Sequence, residues 1–150
     1  DRCQLVASRL DAPAFTTDLI VGFPGESQED FEMSLDVCRQ IGFSKIHMFP
    51  FSPRRGTPAA EMDRQLPRQL KRERGKLVAE VECQLRADYL KQLEGKSLQM
   101  LVQEISPEGM ARGTTGRYVQ AEAAAGQAEK GDLIELVGDQ SNGEIMLATR

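Results

Sequence analysis

The sequence predicts an α/β chain in which a strand–helix–strand unit is followed by one long helix and then by a small all-β barrel. Two short apolar runs, near 17–21 and 45–49, bracket a segment with helical spacing. A second helical stripe extends from Pro67 to about Leu93. After Gly95 the apolar period falls from helical to alternating, with turn residues between short runs.

Leu5, Val6 and Leu10 give an opening helical turn or two before Pro13. The run from Thr17 to Val21 is apolar enough for a buried strand, and a loop, Gly22 to Glu26, follows. Ser27, with Asp30 three residues on, reads as an N-cap. Phe31, Leu35 and Cys38 then repeat at helical spacing as far as Ile41, and Gly42 suits the left-handed stop. Lys45 to Phe49 reads as the second strand. Strands joined through a helix pair in parallel by a right-handed crossover, so the unit is βαβ. In the long helix Leu70, Leu77, Val81, Leu85 and Tyr89 form the expected packing stripe. Pro67 suits its first position and Gly95 its end. Leu98, Met100 and Val102 alternate beyond it, and turns at 107–109, 115–116, 130–131 and 142–143 divide further strands, as in a small barrel. The expected domains are 1–66, a connecting helix 67–94, and 95–150. Ala123 to Ala128 reads as a low-complexity loop.

No apolar run approaches the roughly 20 residues needed to span a bilayer, and no basic-then-apolar leader opens the chain, so a soluble, cytoplasmic protein is expected. The first residue is Asp1 rather than Met and the chain enters mid-pattern, which suggests a fragment of something longer. Cys3, Cys38 and Cys83 are scattered without CxxC spacing, which argues against a disulfide framework and against a local metal site. Net charge is −4, but it is unevenly spread. Residues 1–53 carry 4 basic and 8 acidic groups, 54–76 carry 8 and 3, and 77–150 carry 7 and 12. A basic stretch between acidic flanks can still hold phosphates, because salt screens the distant acids beyond roughly 8–10 Å.

The sharpest local signal is Thr17-Asp18-Leu19-Ile20-Val21-Gly22-Phe23-Pro24-Gly25-Glu26, a parallel strand ending in a glycine-bracketed turn. Ligands of α/β sheets and barrels bind at such carboxyl ends. Gly22 lets a flat ligand approach the backbone, Pro24 and Gly25 fix the turn, and Glu26 can accept hydrogen bonds; an ordinary βα turn reads the same way. His47, the lone histidine, alternates to the face opposite Ile46 and Met48, alongside Phe49; it is either hydrogen-bonded inside the fold or in contact with a ligand. Ser52, Arg54 and Arg55 follow the second strand on the same edge, where guanidinium groups can bind carboxylate or phosphate. Arg64, Arg68, Lys71, Arg72, Arg74 and Lys76 continue the basic stretch; singly they read as a wet helix face, together as a surface for an RNA backbone.

The runs TDLIVGFPGES and IHMFPFSPRRGTPAA resemble the last part of the catalytic barrel in the radical-SAM methylthiotransferases that modify tRNA. The segment from about Gly95, with Gly113-Thr114-Thr115-Gly116-Arg117-Tyr118-Val119, resembles the TRAM domain appended to those enzymes, although Arg117 stands where relatives usually have Asn. The resemblance covers essentially the whole chain. It implies the C-terminal portion of a partial (β/α) radical-SAM barrel, a connecting helix and an OB-like TRAM barrel. It further implies that Ile20 and Gly22 flank the adenine of S-adenosylmethionine, with Asp18, Pro24, Gly25, Glu26, His47, Ser52 and Arg54 around the same site. Arg55, Lys71, Arg72, Arg112, Arg117 and Tyr118 are then the expected RNA contacts, Tyr118 by stacking on an unpaired base unless it is a core tyrosine. The terminal domain is itself acidic, 5 basic against 9 acidic groups from Glu94 on, which weakens RNA binding by that domain alone.

The implied activity is insertion of a methylthio group into the adenosine 3′ of the tRNA anticodon. The His-Met-Phe-Pro-Phe-Ser run is closest to the threonylcarbamoyladenosine branch. The alternatives are the isopentenyl-adenosine branch, a branch acting on a ribosomal-protein aspartate, and a non-catalytic RNA-binding module. In that family the [4Fe–4S] clusters are held by cysteines upstream, including a CxxxCxxC loop, and this sequence has no such set. The fragment alone is therefore expected to be inactive and to need the N-terminal portion of the same enzyme. Two strands alone leave open barrel edges, so the N-terminal half is expected to be marginal or self-associating in isolation.

Overall fold

A computed structural model describes residues 2–150. The chain runs α1 (Arg2–Ala7), β1 (Thr16–Val21), α2 (Gln28–Ile41), β2 (Lys45–Pro50), α3 (Pro58–Glu61), α4 (Arg68–Gln92), then β3 (Ser97–Ile105), β4 (Met110–Thr115), β5 (Gln120–Ala124), β6 (Leu133–Ser141) and β7 (Met146–Thr149). It forms two compact units: Phe15–Leu85, and the segment up to Ala14 together with Arg86–Arg150. Among the described residues no helix is long and apolar enough to cross a membrane.

In the first unit β1 and β2 are parallel, with Asp18 opposite His47 and Ile20 opposite Phe49. Side chains alternate across the sheet, so Leu19, Val21, Ile46 and Met48 join Phe31, Leu35 and Cys38 of α2 and Val78, Val81 and Leu85 of α4 in one core. The helix α2 starts as expected: Ser27 Oγ accepts the Asp30 N–H at 3.0 Å and the Asp30 carboxylate accepts the Ser27 N–H at 2.9 Å. Those bonds, from the Ser27 backbone first, hold the Asp30 carboxyl below its usual pKa. Gly42 ends the helix with φ 72°, its N–H donating to Cys38 O at 3.0 Å. Burial pushes the Cys38 thiol pKa up, as suits a core residue.

The packing face of α4 differs from the expected stripe. Leu77 is 43% exposed and Val78 is fully buried. The cause lies one turn earlier, where Gly75 lets the helix approach β2 so closely that a Cβ would stand 2.8 Å from Met48 Cε. Arg74, in the basic run, is buried beside it.

In the second unit five strands close as β3-β4-β5-β7-β6, which leaves no free sheet edge. The neighbours are antiparallel except β5 and β7. Leu98, Met100, Val102, Ile134, Leu136 and Met146 fill the barrel with Ala111, Ala121 and Ala123, and Tyr89, Leu90 and Leu93 of α4 join the same core. The alanines, small and mutually close on β4 and β5, match the narrow interior. The residue before this core also belongs to the unit: Tyr89 O–H donates to Ala12 O at 3.0 Å, and Lys96 pairs with Asp11 at 2.6 Å. The two compact units meet within α4, at Leu85/Arg86, and the two ends of that helix bury their apolar faces in different cores.

Candidate functional site

β1 ends at Val21 and the chain turns at Gly22, whose φ of 76° favours glycine. The Gly22 N–H donates to the Glu26 carboxylate at 2.6 Å, and Glu26 N–H returns to Phe23 O at 2.9 Å. Gly25, also left-handed, donates to Arg64 O at 3.1 Å. Arg74 reaches this turn from α4. Its guanidinium pairs with the Glu26 carboxylate, donates to Glu26 O at 3.3 Å and Ser27 O at 3.0 Å, and lies 5.0 Å from the Phe31 ring centroid. Only 3% of Arg74 is exposed, and its Nε has no hydrogen-bond partner among the described residues.

Lys71 lies one turn back along α4. Its Nζ donates to Phe51 O at 2.8 Å and sits 5.4 Å from the Phe51 ring centroid, while its stem crosses Gly22. A Cβ on Gly22 would stand 2.4 Å from Lys71 Cγ. The space a side chain on Gly22 would need is filled by the Lys71 stem, which is a packing reason for glycine at this position. Gly25 is covered in the same way by the Arg64 guanidinium, 3.0 Å from where its Cβ would be. Of the basic stretch, Arg74 is buried and Lys71 half-buried against the β1 turn, while the exposed Arg64 lies over Gly25; the Lys71 ammonium, an expected RNA contact, is hydrogen-bonded to Phe51 O.

The two strand-end turns share one rim. Phe51 N–H donates to Val21 O at 2.8 Å, and the Phe23 and Phe51 rings meet edge to face with centroids 5.1 Å apart. Ser52, Arg54 and Arg55 follow directly and are exposed, with Arg54 O accepting the Thr57 hydroxyl at 2.8 Å. Below the rim, the sheet face away from the core carries Asp18, Ile20, His47 and Phe49, all exposed, with Ile20 at 54% and Phe49 at 52%. His47 makes no hydrogen bond with a described residue. This face brings together Asp18, Ile20, His47 and Phe49, while the Glu26 carboxylate is turned to Arg74, Ser52 lies with Met48 and Phe51 on the α4 side, Arg54 is exposed, and Gly22 and Pro24 are buried.

On the barrel, Tyr118 is 82% exposed at φ 58°, in the turn where its N–H donates to Thr115 O at 2.9 Å. A core role for it is ruled out, since Val119 fills the adjacent core position. Arg117 and Arg112, the expected phosphate contacts, each have partners within the unit. Arg117 donates to the carbonyls of Asp11 and Ala12 and pairs with the Asp11 carboxylate at 3.2 Å. Arg112 pairs with its register partner Glu122, which raises the guanidinium pKa further. Lys96, foremost, and Arg117 hold the Asp11 carboxyl below its ordinary pKa.

Sequence reasoning missed Arg74 and Arg64 as parts of this site. Within a stretch of eight cations, five of them on the start of α4, nothing in spacing separates the inward from the outward. Among the described residues no three His, Cys, Asp or Glu side chains come together as metal ligands.

No family model matches the chain. Curated proteins do. A tRNA-2-methylthio-N(6)-dimethylallyladenosine synthase from Saccharopolyspora erythraea is 37% identical over 144 residues, covering 89% of this chain and 29% of its own length. Its namesake from Aquifex aeolicus is 42% identical over 119 residues, covering 79% and 27%. A threonylcarbamoyladenosine tRNA methylthiotransferase from Chlamydia pneumoniae is 45% identical over 93 residues, covering 62% and 22%. The chain spans roughly a quarter of the length of the relatives it matches.

Proposed function

We propose that this chain is the part of a radical-SAM tRNA methylthiotransferase that carries the end of the cofactor barrel and the RNA-holding TRAM barrel. The observation that carries the reading is the shared rim of the Gly22 and Arg54 turns above an exposed sheet face, in a chain similar over most of its length to tRNA methylthiotransferases. Ligands of α/β folds sit at that carboxyl edge.

The residues fit S-adenosylmethionine at this edge. Ile20 and Phe49 are register partners and offer adjoining apolar surface for a flat purine, while Asp18, His47, Ser52 and Arg54 offer polar groups around it. Glu26 contributes by fixing the turn, since its carboxylate is engaged by Gly22 and Arg74. Held there, S-adenosylmethionine would supply radical chemistry at an unreactive adenine carbon, the electron for it coming from an iron–sulfur cluster held elsewhere in the enzyme. The residues do not fit a [4Fe–4S] cluster: Cys38 is buried on α2, Cys83 is exposed on α4, and the sequence has only one further cysteine. The cluster ligands then belong to the upstream part of the whole protein, without which this part is inactive.

The substrate we favour is the adenosine 3′ of the anticodon in cytoplasmic tRNA, with Tyr118, Arg55 and Arg72 among its contacts. A threonylcarbamoyl substituent on that base is supported by the His-Met-Phe-Pro-Phe-Ser run and by the 45% identity to the Chlamydia protein. A dimethylallyl substituent is the second reading, favoured by the names of the Saccharopolyspora and Aquifex relatives. Nucleoside mass spectrometry of tRNA from a strain lacking the gene separates them. Loss of the methylthio-threonylcarbamoyl nucleoside supports the first and loss of the methylthio-dimethylallyl nucleoside the second. Unchanged methylthio nucleosides refute both.

A further inference from the structure

We infer that the groove between α4 and the end of β2 binds single-stranded RNA, its phosphates on a row of α4 cations and its bases on the apolar floor. The groove is about 1220 Å³ and is floored by Met48, Phe51 and Pro53. Arg68, Arg72 and Lys76 line its helical wall, and no acidic residue lines it. All three are exposed, and none forms an ion pair with a described residue. Lys71, the fourth cation at the groove, is held by Phe51 O. Glu73, the nearest acid on the helix, is bound by the Gln69 amide at 2.7 Å and lies off the groove.

Spacing selects the ligand. Residues four apart on an α-helix share a face and rise about 6 Å per step, so Arg68, Arg72 and Lys76 form a straight row of three charges. A flexible strand can set successive phosphates along such a row. A duplex cannot at the same time lay its bases on a floor, because they are paired and stacked inside it. Aromatic and apolar surface beside a basic track is how unpaired nucleic acid is held without sequence preference. The inference rests on RNA being the substrate class of this protein, and it adds a contact surface on the first unit, whereas the two barrel arginines, on the second unit, are engaged by carboxylates.

The test is fluorescence anisotropy of a labelled eight-nucleotide uridine–adenosine RNA titrated with this chain. Three neutralised phosphates give log K against log salt a slope of about −2 for a single strand. The variant Arg68→Gln/Arg72→Gln/Lys76→Gln should bind at least tenfold more weakly and flatten the slope toward zero. Lys91→Gln/Lys130→Gln, which removes two exposed charges elsewhere, should bind within twofold of the parent. Duplex RNA of the same sequence and inorganic polyphosphate should compete poorly. If the triple variant binds like the parent while Tyr118→Ala loses binding, the groove is overturned and RNA recognition by the barrel stands. If polyphosphate competes as well as RNA, the groove is a general polyanion surface and the inference fails. Absence of RNA binding by the parent also overturns it, while the tRNA nucleoside analysis judges the wider reading independently.

Discussion

Arg74 and Glu26 form a buried ion pair that joins the first turns of α4 to the turn after β1, and the same Glu26 carboxylate accepts the Gly22 N–H. The side chains are 4% and 12% exposed. Removing one member of such a pair strands the other charge away from water.

Arg74→Ala is expected to destabilise the first unit by about 3–5 kcal/mol, the cost of an uncompensated buried charge. Glu26→Gln keeps an acceptor for Gly22 but leaves the guanidinium without its counter-charge, so it should cost nearly as much. The Gly22 amide reports this directly: its hydrogen exchange should accelerate in Arg74→Ala while Leu98 and Met100 amides in the barrel keep their protection. Uniform acceleration across both units would show that the pair is not local to the turn.

Gly22→Ala is expected to cost about 1–3 kcal/mol from its left-handed backbone alone, with the Lys71 contact added to that. The two contributions separate in a double-mutant cycle. In a Lys71→Ala background the overlap is gone and only the backbone strain remains, so Gly22→Ala should cost less there. Equal costs in both backgrounds, read from denaturant midpoints, would mean that Lys71 simply swings away.

Asp11 gives a pH prediction whose sign follows from its depressed pKa. A carboxyl held below its ordinary pKa stabilises the folded state above that ordinary value and loses the contribution as pH falls through its folded pKa. Lowering the pH below about 4 should therefore loosen residues 11–12 from Lys96 and Arg117. Asp30 and Glu108 titrate in the same direction, so the informative quantity is the difference between the parent and Asp11→Asn. That difference in amide exchange at residues 11–14 should be present at pH 6 and vanish at pH 2. A difference that persists at pH 2 would place the attachment in uncharged contacts instead.

What the sequence disclosed and what it hid follow from one distinction. Periodicity and capping are local, so the Ser27–Asp30 box, the Gly42 stop, the parallel strands and the alternation of Leu98, Met100 and Val102 were all legible. The partner of a charge is not local. Arg74 and Arg72 look alike in a basic run, yet one is buried on Glu26 and the other lines an open groove. Arg117 and Asp11 are separated by most of the chain, so nothing near Arg117 shows that its donors are used. The face of α4 was misread for the same reason, because the close approach of Gly75 to Met48 is a tertiary fact that turns Val78 inward in place of Leu77.

Tyr118 yields the last prediction, since its backbone and its side chain point to opposite effects. A bulky residue at φ 58° carries strain that Asn tolerates far better, and a ring 82% exposed gains little from burial to offset it. Tyr118→Asn should therefore stabilise the barrel unit by roughly 0.5–1 kcal/mol in thermal melts. It also removes the one exposed aromatic surface on that turn, so binding of a single-stranded RNA should weaken by about 1–3 kcal/mol, the worth of one stacked base. A gain in stability with a loss in affinity identifies a side chain kept for its ligand at the expense of the fold. Loss of stability on the same substitution would instead show that the ring packs against the barrel surface and has no claim on RNA.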